Sequence, residues 1–208
     1  MPFDNYTDFQ TAIANWLNRA DLAAAIPDFI AQAEATCNKV LRTRYMIADT
    51  TLAITAALDR VALPTDCIDV LYIANNALLT QTLVKQVPEW MARQQRLRLK
   101  TAGVPLYYAV VGANLLVCPV PAANITYKLS YYQEIPALSS GNPSNWLLAH
   151  HPDIYLYTAL MHASPYMADD ARSELFGQSI VKMVQSLISN NQTTTLEGQA
   201  YDDFKDKS

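Results

Sequence analysis

Three neighbouring residues, His150, His151 and Asp153, form the densest group of potential metal ligands in the sequence, and His162 follows further along. Imidazole nitrogens and carboxylate oxygens are ordinary zinc ligands. Adjacent histidines on a loop diverge, however, and His162 would lie more than two helical turns beyond Asp153. A carboxylate directly after Pro152 is typical of the first turn of a helix, where it balances the helix dipole. We therefore expect these residues to bind no metal and to catalyse nothing.

The sequence contains none of the common catalytic or nucleotide-binding motifs. With only 5 glycines, the chain has no G-x-S-x-G elbow, no G-x-G-x-x-G turn and no phosphate-binding P-loop. Its paired carboxylates, Asp169-Asp170 and Asp202-Asp203, fall at a predicted helix start and in the C-terminal segment, where solvation explains them. We expect no catalytic residue, no cofactor-binding residue and no enzyme activity.

A basic stretch in the middle of the chain offers a different kind of chemistry. The cations Lys85, Arg93, Arg96, Arg98 and Lys100 form a cluster, and no acidic residue occurs between Glu89 and Glu134. These side chains could contact phosphates of a nucleic acid, form ion pairs with a neighbouring subunit, or lie in solvent. The net charge of −4 disfavours nucleic acid. We expect Arg93, Arg96 and Arg98 to contact a neighbouring subunit or a partner protein.

The cysteines and the N-terminus indicate a reducing compartment. Three cysteines, Cys37, Cys67 and Cys118, are widely spaced and odd in number, which fits neither a disulfide framework nor a zinc site. We expect reduced and mostly buried thiols. The residues after Met1 lack the basic and apolar regions of a signal peptide, and no apolar run is long enough for a membrane helix. We expect synthesis in a cytoplasm and no membrane partner.

Hydrophobic periodicity predicts helices near both ends of the chain, at about 6–18, 27–43, 152–167 and 169–189. Thr7 and Gln10 have the spacing of a capping box for the first helix. Its apolar face would carry Phe9, Ile13, Trp16 and Leu17. In the second helix the apolar stripe includes Phe29, Ala33 and Cys37 and mostly excludes Glu34. The third helix is apolar on nearly every side, which predicts a central place in the core.

The residues between these helices, about 48–135, are predicted to form strands. The clearest is 124–133, in which Ile125, Tyr127, Leu129 and Tyr131 alternate with polar residues. Gly112 lies at the turn of a predicted hairpin. The order of elements predicts an α+β fold in which N- and C-terminal helices form one helical bundle with a central antiparallel β-sheet insertion. Residues 1–190 would form a single domain.

The last segment, residues 191–208, is predicted to be a C-terminal tail. It is polar and charged, with three isolated apolar side chains, Leu196, Tyr201 and Phe204. These three cannot form a core of their own, and a tail that served only solubility would not need them. A frayed terminus is the alternative interpretation.

Several segments resemble the head-to-tail adaptor proteins of tailed bacteriophages, the relatives of tubular tail protein and tail accessory factor. Each motif is short, but their order matches the family, and together they extend from about residue 6 to 190. The segments are ALPTDCID at Ala62–Asp69, GVPLYYA at Gly103–Ala109, LLVCPVP at Leu115–Pro121, YYQEIPAL at Tyr131–Leu138, NWLL at Asn145–Leu148 and PDIYLYTAL at Pro152–Leu160. Cys118 departs from the family, which usually has a plainer apolar residue before Pro-x-Pro.

The resemblance implies a structural protein of the virion at the head–tail junction. Members of the family form a ring, commonly dodecameric, below the portal protein, which completes the head and carries the tail nozzle or other tail proteins. Genomic DNA passes through the lumen without sequence-specific binding. Related adaptors use C-terminal segments to grip the portal, so the resemblance implies that Leu196, Tyr201 and Phe204 bind it.

Two other classes of function stay open at this point. One is a small cytoplasmic enzyme with a site around His150, His151 and Asp153. The other is a nucleic-acid-binding module that uses residues 85–100. Either would purify as a monomer or a small symmetric oligomer, whereas an adaptor would stay monomeric until it meets the portal.

Overall fold

Helices precede and follow a run of strands along the chain. The computed structural model describes residues 4–19, 21–75, 81–97, 102–167, 174–187 and 189. Two compact units divide the chain: residues up to Tyr45 together with those from Ile135 onward form a helical unit, and Met46–Glu134 form a strand unit. The mixture of helices and sheets confirms the predicted α+β class.

The helical unit contains five described helices. They are α1 (Tyr6–Leu17), α2 (Ile26–Val40), α4 (Trp146–His150), α5 (Pro152–Ala163), which continues into a 3-10 turn at Ser164–Met167, and α6 (residues 174–187). The strand unit contributes α3 (Pro88–Leu97). The predicted start of the last helix, at residue 169, lies outside the described residues.

Helix α1 begins at a different cap from the one that the sequence suggests. Asn5, which has extended backbone geometry, accepts a hydrogen bond from the Asp8 backbone N–H over 2.9 Å. Thr7 already lies inside the first turn, so the predicted capping box at Thr7 is wrong. Phe9 is fully buried, as predicted, whereas Trp16 is 42% exposed.

Helix α2 starts with Pro27 in its first turn, as predicted, but ends at Val40 rather than at residue 43. The backbone of Leu41 is extended, with ψ of 137°, and this stops the helix. Glu34 is buried with an exposed fraction of 8%, so its predicted position off the buried stripe is wrong. The cause is a pair of hydrogen bonds that the Glu34 carboxylate accepts from Tyr155 and Leu138.

Helix α5 is buried on nearly every side, as its composition predicts. The buried positions are Ile154, Tyr155, Leu156, Thr158, Ala159, Leu160 and Ala163. The short helix α4 precedes it and was not predicted. Its cap is Asn145, whose side chain accepts a hydrogen bond from the Leu148 N–H over 2.9 Å.

The strand unit consists of two sheets. The first has the order β1-β7-β3, and the second has the order β2-β6-β5-β4. Their bounds are β1 (Ile47–Ile54), β2 (Arg60–Ala62), β3 (Cys67–Asn75), β4 (Val84–Lys85), β5 (Tyr107–Val111), β6 (Asn114–Cys118) and β7 (Ile125–Gln133). β4 pairs with β5 in parallel, so the prediction of a purely antiparallel region is wrong at that edge.

Side chains from both sheets fill one core. The predicted alternation along β7 holds for Tyr127, Leu129 and Tyr131, which are buried beside Leu52 and Val117. It fails at Ser130, which is buried as well and donates a hydrogen bond to Asp49 of β1. Gly112 has a φ of 60° at the turn between β5 and β6, a backbone conformation that glycine adopts without steric cost.

Helix α3 packs on the second sheet through a small cluster of its own. Met91 is fully buried against Ala109 and Cys118, and the Trp90 ring meets the Tyr107 ring edge-on at 4.8 Å. With this packing, Ala92, Arg93 and Arg96 are exposed.

Candidate functional site

The fold separates His162 from the other potential metal ligands, whereas His150, His151 and Asp153 stay together at the junction of α4 and α5. His150 ends α4, Asp153 lies in the first turn of α5, and His162 instead pairs with Thr36 of α2 at 2.9 Å between Nε2 and Oγ1. Across the described ranges, no three His, Cys, Asp or Glu side chains are grouped so that they could hold a metal ion. Burial lowers the pKa of His151, partly offset by Asp153.

An aromatic stack occupies the region where these histidines lie. The Tyr45 ring stacks on the Trp146 ring at 5.7 Å and on the His150 ring at 4.6 Å, with interplanar angles of 16° and 18°. The Arg44 guanidinium lies 5.1 Å from the centre of the Tyr45 ring, and its Nη2 donates to the Tyr45 hydroxyl over 3.2 Å. Tyr45 is 39% exposed, so the stack is a surface feature.

Next to this stack lies a cleft of about 530 Å³ within the helical unit. Its lining residues come from the segment after α2, from the start of α5 and from α6: Thr43, Arg44, Tyr45, His151, Asp153, Ile154, Lys182, Met183, Ser186 and Leu187. The cleft thus combines two cations, one carboxylate, one imidazole, three hydroxyl groups and an apolar wall. The cations and hydroxyl groups can bind an anionic group, and the apolar wall can accommodate a hydrocarbon side chain.

A buried carboxylate holds the segment that leads into α4. Glu34 of α2 accepts hydrogen bonds from the Leu138 N–H over 2.7 Å and from the Tyr155 hydroxyl. Asn38, one helical turn later, accepts from the Ile135 N–H over 2.9 Å, and the Asn145 amide donates to the Pro136 carbonyl over 2.8 Å. Residues 135–145 are therefore fixed to α2 at two points, which positions α4.

Burial controls the ionisation of this group. Burial raises the pKa of Glu34, and the hydrogen bonds from Tyr155 and Leu138 oppose that rise only in part. Burial, reinforced by the Glu34 carboxylate, also raises the pKa of Tyr155. The phenol consequently stays protonated and donates to Glu34.

The cysteines are free, as predicted: Cys37 and Cys118 are buried and Cys67 is half-buried. Burial raises the pKa of both Cys37 and Cys67 to about 11. Their thiols are protonated at neutral pH and are weak nucleophiles.

The predicted basic stretch is divided by the fold. Lys85 pairs with Asp69 of β3 at 3.3 Å, whereas Arg93 and Arg96 lie exposed on α3. Neither arginine forms an ion pair with any residue that the structure describes. Arg98 and Lys100 lie outside the described residues, as do the three tail positions Leu196, Tyr201 and Phe204.

Several members of the cleft carried no clear sequence signal. In the sequence, Lys182 is an ordinary charged position of an amphipathic helix. The position of Arg44 suggests a cation that balances the dipole at the C-terminus of α2. Arg42 does play that part, since its Nη1 donates to the Asn38 carbonyl over 2.8 Å. The Arg44 side chain instead contacts the ring and the hydroxyl of Tyr45. Only the packing of α6 near α5 brings Lys182 and Arg44 to one cleft.

Comparison with known proteins identifies the family. The chain matches the family described as SU10 adaptor protein over residues 4–200, which includes both units and most of the predicted tail. No curated protein matches the chain. In the portion of the chain that the structure describes, no helix is long and apolar enough to cross a membrane. The chain therefore belongs to the SU10 adaptor protein family, and it is a structural head-to-tail adaptor of a bacteriophage.

Proposed function

We propose that this adaptor forms a ring, a dodecamer, below the portal protein of a tailed phage, completes the head and provides the platform for tail attachment. The observation that carries the proposal is the family match over residues 4–200, since adaptor proteins of this kind interact with portal and tail proteins. Genomic DNA passes through the lumen of the ring without sequence-specific binding. The protein is made in the host cytoplasm and resides at the head–tail junction of the virion.

In this proposal residues 1–190 act as one adaptor domain whose terminal helices form a bundle, and residues 191–208 are a tail that docks on the portal. The helical unit supports the bundle because α5 is buried on nearly every side. The portal-binding side chains would be Leu196, Tyr201 and Phe204, because isolated apolar side chains in a polar segment can enter separate pockets of a partner.

The exposed arginines of α3 support a subunit or partner interface. A closed ring needs two different faces of each subunit to meet, so each subunit must present a surface that complements another. Arg93 and Arg96 are exposed and have no acidic partner among the described residues. A protein with a net charge of −4 has acidic surface elsewhere to meet them.

Assembly on the portal tests the proposal directly. The purified chain should be monomeric by mass photometry and should form a ring when it is mixed with purified portal rings of the same phage. Electron microscopy should then show added density on the tail side of the portal. A chain that never binds the portal, under conditions in which its circular dichroism shows it to be folded, would refute the proposal.

A further inference from the structure

The cleft of the helical unit carries two cations whose charges are not balanced by an ion pair among the described residues. Arg44 and Lys182 line it from two different elements, and neither forms an ion pair with a described residue. The one carboxylate in the lining is Asp153, at the start of α5. Two cations against one acid leave an excess of positive charge in a concave site, where an anionic group would be attracted.

Two further groups in the same cleft can donate hydrogen bonds to a ligand. Thr43 is only 2% exposed, and its hydroxyl has no hydrogen-bond partner among the described residues. A buried hydroxyl without a partner costs free energy that a bound acceptor would return. The α5 N-terminus has no side-chain cap, and its first-turn residues Asp153 and Ile154 line the cleft. Helix N-termini present N–H donors and partial positive charge to anions.

The remaining wall is apolar and aromatic. Ile154, Met183 and Leu187 line the cleft, and the exposed Tyr45 ring closes one side of it. Hydrocarbon side chains of a peptide can pack on such a wall, whereas the phosphates of a DNA backbone find no partner there.

We propose that this cleft binds an acidic, extended segment of a partner protein. One carboxylate of that segment lies between Arg44 and Lys182 and accepts a hydrogen bond from the Thr43 hydroxyl. An adjacent apolar side chain packs against Met183 and Leu187. That the partner belongs to the portal or the tail rests on the proposed function. The binding of an acidic peptide does not, so the two ideas can fail separately.

A titration of the full-length protein with a synthetic peptide of alternating glutamate and leucine tests the proposal. The indole N–H of Trp146 serves as an NMR reporter, because its ring stacks on Tyr45 at the cleft. The signal should shift on titration, and Arg44→Glu with Lys182→Glu should weaken binding by roughly tenfold or more, since each charge-assisted hydrogen bond is lost. Lys39→Glu, a charge reversal on α2 away from the lining, should leave the affinity unchanged.

The hydroxyl of Thr43 provides a second and independent test. Thr43→Val should weaken peptide binding several-fold without lowering the thermal midpoint, because the hydroxyl has no partner to lose in the free protein. Tyr127→Phe is the matched control: it removes the other buried hydroxyl without a described partner, in the strand unit, and should leave peptide affinity unchanged.

Three results would overturn the proposal. The peptide could fail to shift Trp146, the Arg44→Glu and Lys182→Glu protein could bind it as well as the parent protein, or an oligothymidylate could bind the cleft in place of the peptide. If charge reversal unfolds the protein, the pair Arg44→Gln and Lys182→Gln gives the same test without added negative charge. Failure of ring formation on the portal, with peptide binding intact, would instead contradict the proposed function alone.

Discussion

The Tyr155 hydroxyl of α5 donates a hydrogen bond to the Glu34 carboxylate of α2 in the interior of the helical unit. The same carboxylate oxygen accepts the Leu138 N–H, so one buried group joins two helices and the segment before α4. No basic side chain is paired with Glu34 in the described part of the chain. The buried charge is therefore stabilised by neutral donors alone, which makes it sensitive to protonation.

Two substitutions of Glu34 should separate the loss of its hydrogen bonds from the loss of its buried charge. Glu34→Ala removes the acceptor for two buried donors, and we expect it to lower the free energy of unfolding by about 3 kcal/mol. Glu34→Gln keeps an acceptor oxygen and removes the buried charge, so its loss should be much smaller. Urea unfolding at neutral pH measures the loss of stability in each variant. Glu134→Gln, the same substitution at an exposed position, is the control. Equal losses for Ala and Gln would contradict this account.

The raised pKa of Glu34 also predicts a dependence on pH. Because the folded state holds the proton more tightly than the unfolded chain, the stabilisation is complete below the ordinary value of 4.5 and is lost as pH rises through the higher folded pKa. The stability of the parent protein relative to Glu34→Gln should therefore fall as pH increases across that window. A difference that stays constant from acid to neutral pH would show that Glu34 does not titrate there.

The exposed arginines of α3 should matter for assembly and not for folding. We expect Arg93→Glu with Arg96→Glu to leave the thermal midpoint within a few degrees, because both side chains are exposed and unpaired among the described residues. Ring formation on the portal should weaken. Arg60→Glu, a single charge reversal at an exposed cation of β2 that pairs with Asp59, serves as the control for charge reversal elsewhere on the surface. Normal assembly together with loss of a salt-sensitive DNA affinity would favour the nucleic-acid interpretation.

The histidine positions should carry no metal. His150→Ala with His151→Ala should change no metal content and should cost roughly 1 kcal/mol of stability, because the stack on Tyr45 is lost. Elemental analysis of the parent protein and the variant checks the first part and thermal unfolding the second. Stoichiometric zinc in the parent protein that disappears in the variant would overturn the prediction.

The C-terminal tail should be needed for attachment to the portal. Removal of residues 192–208 should leave a folded, soluble subunit, since this segment holds only three isolated apolar side chains, Leu196, Tyr201 and Phe204. Attachment should be abolished, and Tyr201→Ala and Phe204→Ala should account for most of the loss. Thr194→Ala is the control within the same segment. A truncated protein that assembles on portal rings as well as the full chain would show that the helical unit is the anchor.

The periodicity of the sequence determined most of the elements. Alternation predicts β7, and the apolar composition of residues 152–163 predicts a buried helix, because burial depends on side-chain type and spacing that neighbours along the chain already define. Local sequence patterns predict helix caps less well where several residues near the start of a helix could serve as the cap. Asn5 rather than Thr7 caps α1, since the choice depends on which residue leaves the helical conformation.

The tertiary structure alone decided the polar interior and the cleft. Glu34 looks like a solvent-facing position of α2 in the sequence, but Tyr155 and the Leu138 N–H are far away along the chain and supply the donors that make its burial possible. In the same way, Thr43 and Arg44 share a cleft with Lys182 only because α6 returns beside α5. Sequence spacing determines which face of one helix is apolar, and long-range packing determines which polar groups meet.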